Sequence, residues 1–85
     1  TMKLTAELSL YPLKEEYIPA IDSFIAALGD KPELRVITNA MSTQVCGDHD
    51  LVFTTISHAL AASYRQFGMQ VLVVKFIPGE LDLQP

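Results

Sequence analysis

Hydrophobic and polar residues alternate along the first part of the chain. In residues 3–11 every second side chain is apolar, and these side chains are Leu4, Ala6, Leu8 and Leu10. A period of two predicts a strand with one buried face, because neighbouring side chains point to opposite sides of a sheet. We expect Pro12 to end this strand, since proline cannot donate a backbone hydrogen bond.

Two later segments have the helical period. A first helix is predicted to begin between Glu15 and Ile18, because Pro19 is tolerated only near a helix start, and to end at Gly29. Its apolar stripe consists of Ile18, Ile21, Phe24, Ile25 and Leu28. A longer helix is predicted from Asp48 to Gly68. Its inner stripe consists of Val52, Phe53, Ile56, Ala59, Leu60, Ser63 and Phe67.

Three further runs favour strands. Residues 34–39 and 41–46 are β-prone and almost adjacent, which predicts a hairpin turning near Asn39 and Ala40. Residues 69–77 form a last strand with apolar side chains on both faces. The order β-α-β-β-α-β predicts a ferredoxin-like α+β fold. Right-handed crossovers then place both helices on one face of a four-stranded antiparallel sheet.

The length of 85 residues predicts one domain, over residues 2–85 with Met2 as the natural start. A monomer of this size buries only about 60–65% of the surface of its unfolded chain. The last strand is expected at the sheet edge, where apolar side chains on both faces favour contact with another chain. We therefore expect a homodimer or homotetramer that uses the open sheet face, the last strand or both.

Charge and cysteine content narrow the possible functions. The net charge is −4, with 6 Lys and Arg against 10 Asp and Glu, and no basic patch is visible. This balance argues against a nucleic-acid partner. A single cysteine, the lack of a signal sequence and the lack of an apolar run near 18 residues predict a cytoplasmic protein with no membrane partner.

The run MSTQVCGDHDLVF at residues 41–53 contains the most diverse side-chain chemistry. Cys46 and His49 suggest a metal site, but a second pair of ligands at suitable spacing is missing. A catalytic thiol would need a base that the sequence does not supply, so Cys46 is interpreted as a small buried hydrophobe. Asp48 and Asp50 open the long helix, and we expect one of them to cap it and the other to be free for a ligand. The sequence thus predicts neither a catalytic residue nor a bound metal or cofactor.

Polar side chains of the first and third strands are expected to share the open sheet face. They are Thr5, Glu7, Ser9, Tyr11, Ser42, Gln44 and Cys46. A solvated sheet face and a ligand pocket account for this pattern equally well. Because successive side chains of a strand point to opposite faces, Thr43 is expected on the opposite face from Ser42. A pocket at the strand ends would use both residues.

Three motifs resemble the thiamine-binding protein family: SLYPL at 9–13, MST at 41–43 and GDHDLVF at 47–53. The resemblance implies a small ferredoxin-like domain that binds thiamine or its hydroxymethylpyrimidine moiety, without catalysis, as a cytoplasmic dimer or tetramer. It also implies the ligand-binding candidates, which are Ser9, Tyr11, Ser42, Thr43, Asp50 and Phe53.

Two other functions of this fold stay open. One is a regulatory module of the ACT type, which senses an amino acid or similar metabolite through its dimer interface. The other is a dimeric α+β barrel oxygenase, which would need a buried histidine in the cavity under the helices. His58 lies off the apolar stripe of the long helix, and this position argues against the oxygenase.

Overall fold

A computed structural model describes residues 2–83. Its elements are β1 (Lys3–Pro12), α1 (Ile18–Leu28), β2 (Arg35–Thr38), β3 (Thr43–Asp48), α2 (His49–Phe67) and β4 (Gln70–Pro78). The strands form one antiparallel sheet in the order β2-β3-β1-β4. The predicted ferredoxin-like α+β fold is confirmed, and β4 lies at the sheet edge as expected.

The core lies between the sheet and the two helices. Leu4, Ala6 and Leu8 of β1 are at most 3% exposed, as the alternating pattern predicts. Their partners in the core cluster come from both helices and the neighbouring strands: Phe24, Leu28, Leu34, Val45, Val52, Ile56 and Ala59. Burial on one face of β1 therefore holds both helices on the same side of the sheet.

The hairpin between β2 and β3 differs from the prediction by two residues. The Asn39 side-chain oxygen Oδ1 accepts hydrogen bonds from the backbone N–H groups of Met41 at 2.9 Å and Ser42 at 3.1 Å. The Asn39 N–H donates to the Ser42 carbonyl at 3.0 Å. An asparagine side chain that bonds its own following backbone stabilises a turn. Ser42 consequently lies in the turn, and β3 begins at Thr43.

One of the two aspartates at the start of α2 is its N-cap residue, as predicted. Asp48 is the N-cap residue, but its side chain makes no capping hydrogen bond. The His49 N–H instead donates to the Met2 carbonyl at 2.9 Å. Because α2 follows β3 without a loop, the backbone beside β1 satisfies this free donor. At the other end Gly68, with a φ of +85°, closes α2 as predicted.

Two residues assigned to apolar helix stripes are exposed. Ile18, the first residue of α1, is 59% exposed. Phe53 is 43% exposed and covers Phe76 of the edge strand. A helix over a sheet edge has no further strand to bury its outermost side chain. Neither helix of the described residues is long and apolar enough to cross a membrane.

A C-terminal segment, residues 79–83, folds back over one end of the open sheet face. The Thr5 hydroxyl donates to the Gly79 carbonyl at 2.9 Å and accepts from the Leu81 N–H at 3.3 Å. Arg35 donates from Nη2 to the Leu83 carbonyl at 2.6 Å, and Leu83 is 8% exposed. Part of the face that was expected to be open is therefore covered by the chain itself.

On the open face, β4 carries three apolar side chains, with Lys75 between the second and the third. Val71, Val73 and Ile77 are opposite Tyr11, Ser9 and Thr5 of β1 and are 43–47% exposed. The domain predicted over residues 2–85 stays a prediction, and its last two residues, Gln84 and Pro85, lie outside the described residues, as does Thr1.

Candidate functional site

A cavity of about 210 Å³ lies at the end of the sheet where β1 extends beyond β3. The strand β1 pairs with β3 only as far as Leu8, which is opposite Thr43, but pairs with β4 as far as Pro12, which is opposite Gln70. On the β3 side, the pairing register leaves residues 9–12 without a strand neighbour. Backbone N–H and C=O groups at such an edge are available for hydrogen bonds.

The cavity is bounded by three elements. The end of β1 forms one wall, the turn between β2 and β3 forms the second, and Ile21, Phe24 and Ile25 of α1 form an apolar third wall. Its lining is completed by Leu8, Ser9, Leu10, Tyr11, Thr38, Asn39, Ala40, Met41, Ser42 and Thr43. An apolar wall facing a few fixed polar groups is the usual make-up of a small-molecule site.

Four of the six candidates proposed from the sequence line this cavity: Ser9, Tyr11, Ser42 and Thr43. Tyr11 is 55% exposed, whereas Thr43 is 6% exposed. The Thr43 hydroxyl lies 3.1 Å from that of Thr38, and one donates to the other. These side chains alternate between the two faces of the sheet, and the strand ends bring them to one place.

Two polar residues of the cavity, Thr38 and Asn39, were missed as candidates from the sequence. Thr38 pairs directly with Thr43 across the hairpin. The signal available in the sequence was the hairpin itself, since cross-strand neighbours on one face lie close together. Asn39 was recognised only as a turn residue, although its side chain also contacts Gln44.

A chain of hydrogen bonds connects the cavity with the open sheet face. Ser42 Oγ donates to Glu7 Oε2 at 3.0 Å and accepts from Gln44 Nε2 at 2.7 Å. Glu7 Oε1 lies 3.7 Å from Lys75 Nζ. Glu7 and Gln44 are directly opposite on β1 and β3. Three residues of the predicted polar patch, Glu7, Ser42 and Gln44, therefore form a connected network.

The remaining two candidates, Asp50 and Phe53, lie at the opposite end of the sheet. Asp48, immediately before α2, is opposite Lys3, whereas Thr43 is opposite Leu8. Five residues of strand correspond to about 17 Å. One copy of the chain therefore does not bring the helix candidates to the cavity.

Phe53 belongs instead to a small aromatic cluster. Its ring stacks on Phe76 with centroids 4.5 Å apart and lies 5.0 Å from the His49 ring. The His49 Nδ1 atom is 2.9 Å from Asp50 Oδ1. Asp50 is 92% exposed, so this contact is a solvated surface pair.

Other chemistry in the run at 41–53 has little support in the geometry. Within residues 2–83, no group of three His, Cys, Asp or Glu side chains is placed to hold a metal ion. Cys46 is 5% exposed, and its Sγ lies 3.3 Å from the Thr5 hydroxyl. His58 is an exposed residue of α2.

The model of the YKOF-related family matches residues 3–75 of the chain. The chain belongs to this family. The match includes all four strands in whole or in part and both helices, so the cavity lies within the matched region. No curated protein is significantly similar to this member of the YKOF-related family.

Solved structures share the fold of this YKOF-related chain. A Streptococcus pneumoniae protein is 26% identical over 94% of this chain and 90% of its own, with a TM-score of 0.84. A hypothetical protein from Methanocaldococcus jannaschii is 26% identical over 99% of this chain and 87% of its own, with a TM-score of 0.80. A candidate thiamine biosynthesis/salvage protein from Thermotoga maritima is 16% identical over 87% and 81%, with a TM-score of 0.79. This last likeness shows the fold alone.

Proposed function

We propose that the protein binds a small heteroaromatic ligand in the cavity at the end of β1, and that this ligand is the hydroxymethylpyrimidine moiety of thiamine, free or within the vitamin. The observation that carries the proposal is that four candidates from separate motifs, Ser9, Tyr11, Ser42 and Thr43, line one cavity. The similar fold of the Thermotoga maritima protein, a candidate thiamine biosynthesis/salvage protein, supports the same ligand class.

The size and chemistry of the cavity suit one ring. Its volume of about 210 Å³ lies below the range of about 300–1,000 Å³ that is typical of sites for drug-sized ligands. A pyrimidine ring presents nitrogen acceptors and an exocyclic amine, and hydroxyl groups such as those of Ser42 and Thr43 can pair with either. The aliphatic and aromatic side chains of α1 would cover the face of the ring. The thiazolium ring of thiamine would then extend past the exposed Tyr11, whose ring face attracts cations.

The proposed role is binding without catalysis, in uptake, salvage or buffering of the vitamin in the cytoplasm. Only side chains with hydrogen-bonding or apolar roles line the cavity among the described residues. A cofactor has no role in this proposal, and neither a nucleic acid nor a membrane is a partner. An oxygenase would need a buried histidine, and the exposure of His58 favours the binding role.

A second copy of the chain is the proposed protein partner. The row of Val71, Val73 and Ile77 on β4 is half-exposed beside a polar network, and an edge strand of this kind favours association. A dimer or tetramer through the uncovered part of the open face or through β4 would bury this row. Sedimentation equilibrium of the wild type and Val73→Lys checks it, with a shift to the monomer expected for the variant.

Calorimetric titration with hydroxymethylpyrimidine and thiamine tests the ligand. Ser42→Ala is expected to weaken binding about tenfold, because one hydrogen bond of about 1.4 kcal/mol is lost. Ser57→Ala, a change at an exposed serine of α2, serves as the control and should bind like the wild type. The absence of heat with both ligands at millimolar concentration would remove the proposal.

Asp50 stays a predicted ligand residue. The Asp50→Ala variant distinguishes a site formed by one copy of the chain from a site completed by a partner subunit. If each copy binds alone, Asp50→Ala should leave the titration unchanged, because the carboxylate is about 17 Å along the sheet from the cavity. If a partner subunit's helix end completes the cavity, the same variant should weaken binding and the effect should disappear in the monomeric Val73→Lys variant.

A further inference from the structure

Backbone N–H groups determine which atoms donate and which accept in the hydrogen-bond chain beside the cavity. Asn39 Oδ1 accepts from the N–H groups of Met41 and Ser42 at 2.9 and 3.1 Å. Because backbone nitrogens only donate, the oxygen of this amide must face them, and its nitrogen must face away. The orientation of the Asn39 side chain is thereby determined.

The orientation of the Asn39 amide in turn determines the orientation of the Gln44 amide. Asn39 Nδ2 donates to Gln44 Oε1 at 3.4 Å, which leaves Gln44 Nε2 pointing at Ser42. Gln44 Nε2 donates to Ser42 Oγ at 2.7 Å. If the Gln44 amide were reversed, its Nε2 would face Asn39 Nδ2, and two donors would oppose each other. Its Oε1 would then face Ser42 Oγ, and Gln44 could no longer donate to Ser42.

Ser42 has one hydroxyl hydrogen, and this hydrogen is used in a hydrogen bond to Glu7. Ser42 Oγ lies 3.0 Å from Glu7 Oε2, and an ionised carboxylate only accepts. The other Glu7 oxygen, Oε1, lies 3.7 Å from Lys75 Nζ. The hydroxyl donates one hydrogen bond to Glu7 and accepts one from Gln44. A single lone pair of Ser42 Oγ is then left to accept a further hydrogen bond. Toward the cavity, Ser42 can therefore accept a hydrogen bond but cannot donate one.

We propose that Glu7 is a positioning residue for this site: it holds the Ser42 hydroxyl as an acceptor, so that the cavity selects ligands with an N–H donor over ligands with a carbonyl oxygen at the same place. Glu7 itself does not line the cavity, whereas Ser42 does. The ligand class favoured is the 4-aminopyrimidine, and the 4-oxopyrimidine is rejected. This inference rests on the proposed function.

The rejection has a physical cause. The Ser42 hydroxyl has no free hydrogen to donate to a ligand carbonyl. The carbonyl oxygen would face a lone pair of Ser42 Oγ and would stay without a hydrogen bond in a shielded site. A site built for one hydrogen-bonding partner discriminates strongly against the analogue with the wrong one. Glu7→Gln relaxes this constraint, because a glutamine amide, unlike an ionised carboxylate, can also donate to Ser42 Oγ and leave the hydroxyl proton for the ligand.

The experiment measures the dissociation constants of two ligands, 4-amino-5-hydroxymethyl-2-methylpyrimidine and its 4-oxo analogue. The wild type is expected to prefer the amino ligand at least tenfold, about the value of one hydrogen bond. Glu7→Gln is expected to reduce this ratio about tenfold, with a gain in affinity for the oxo ligand. Lys75→Ala, which removes the other neighbour of Glu7 but leaves the Ser42 bond, serves as the control and should keep the ratio.

The selectivity ratio separates positioning from a merely structural role, because general loosening of the cavity weakens both ligands together. If the wild type binds both ligands equally, or if Glu7→Gln keeps the preference for the amino ligand, the inference is overturned while the proposed function stands. If the wild type binds neither pyrimidine, the proposed function falls and the inference falls with it.

Discussion

The contact between the C-terminal segment and the sheet can be tested at Thr5. The Thr5→Val variant replaces the hydroxyl by a methyl group of similar shape at a position that is 3% exposed. It removes two bonds to the segment, to the Gly79 carbonyl at 2.9 Å and from the Leu81 N–H at 3.3 Å, together with the 3.3 Å contact between the hydroxyl and Cys46 Sγ. At about 1 kcal/mol for each bond, attachment of residues 79–83 is weakened by about 2 kcal/mol.

Cys46 reports on this attachment, because it lies on the same sheet face as Thr5 and borders the hollow under the segment. When the segment lifts, the thiol becomes accessible to a disulfide reagent. A loss of about 2 kcal/mol raises the lifted population about thirtyfold. We therefore expect the native-state labelling rate of Cys46 to rise about thirtyfold in Thr5→Val, measured by absorbance in excess reagent.

Two controls separate local release from global unfolding. Thr54→Val, at an exposed threonine of α2, should label like the wild type. Val52→Ala destabilises the core, in which Val52 is fully buried, without touching the segment. If Thr5→Val labels no faster than the wild type, or if a core variant of equal stability labels as fast, then residues 79–83 do not control access to Cys46.

Three further predictions concern stability and are checked by chemical denaturation. Thr55→Val should stabilise the protein by about 1–2 kcal/mol, because among the described residues the buried Thr55 hydroxyl has no hydrogen-bond partner; a loss of stability would contradict this reasoning. Gly68→Ala should cost about 1–3 kcal/mol at its φ of +85°, whereas Gly29→Ala, at a φ of −78°, should be neutral or slightly stabilising; equal effects would contradict the backbone argument. A double-mutant cycle of Phe53→Ala and Phe76→Ala should give a coupling of about 0.5–1.5 kcal/mol for the stacked rings, and additive losses would show that the stack contributes nothing.

The order of the elements and the topology of the sheet could be predicted because they depend on local patterns. The period of two in β1 specifies its buried face, and Leu4, Ala6 and Leu8 are buried accordingly. The helical periods specify α1 and α2. The handedness of the crossovers then leaves few arrangements for four strands and two helices.

The candidate site could be predicted only in part. Ser9 and Tyr11 come from the end of β1, and Ser42 and Thr43 come from the beginning of β3, so antiparallel pairing brings these four together. The same pairing carries Asp50 and Phe53 to the opposite end of the sheet, since β3 runs away from the cavity before α2 begins. Motif proximity along the chain is therefore a poor guide to proximity in space.

Only the tertiary structure decided the details that depend on contacts between distant residues. The Asn39 side chain places Ser42 in a turn, and Glu7, which is 35 residues from Ser42, determines the direction of its hydroxyl. Residues 79–83 cover Thr5 across 74 residues of chain. Periodicity reports which face of an element is apolar, because that pattern is local. It does not report which distant backbone group will satisfy a particular donor or acceptor, because that pairing exists only after the chain has folded.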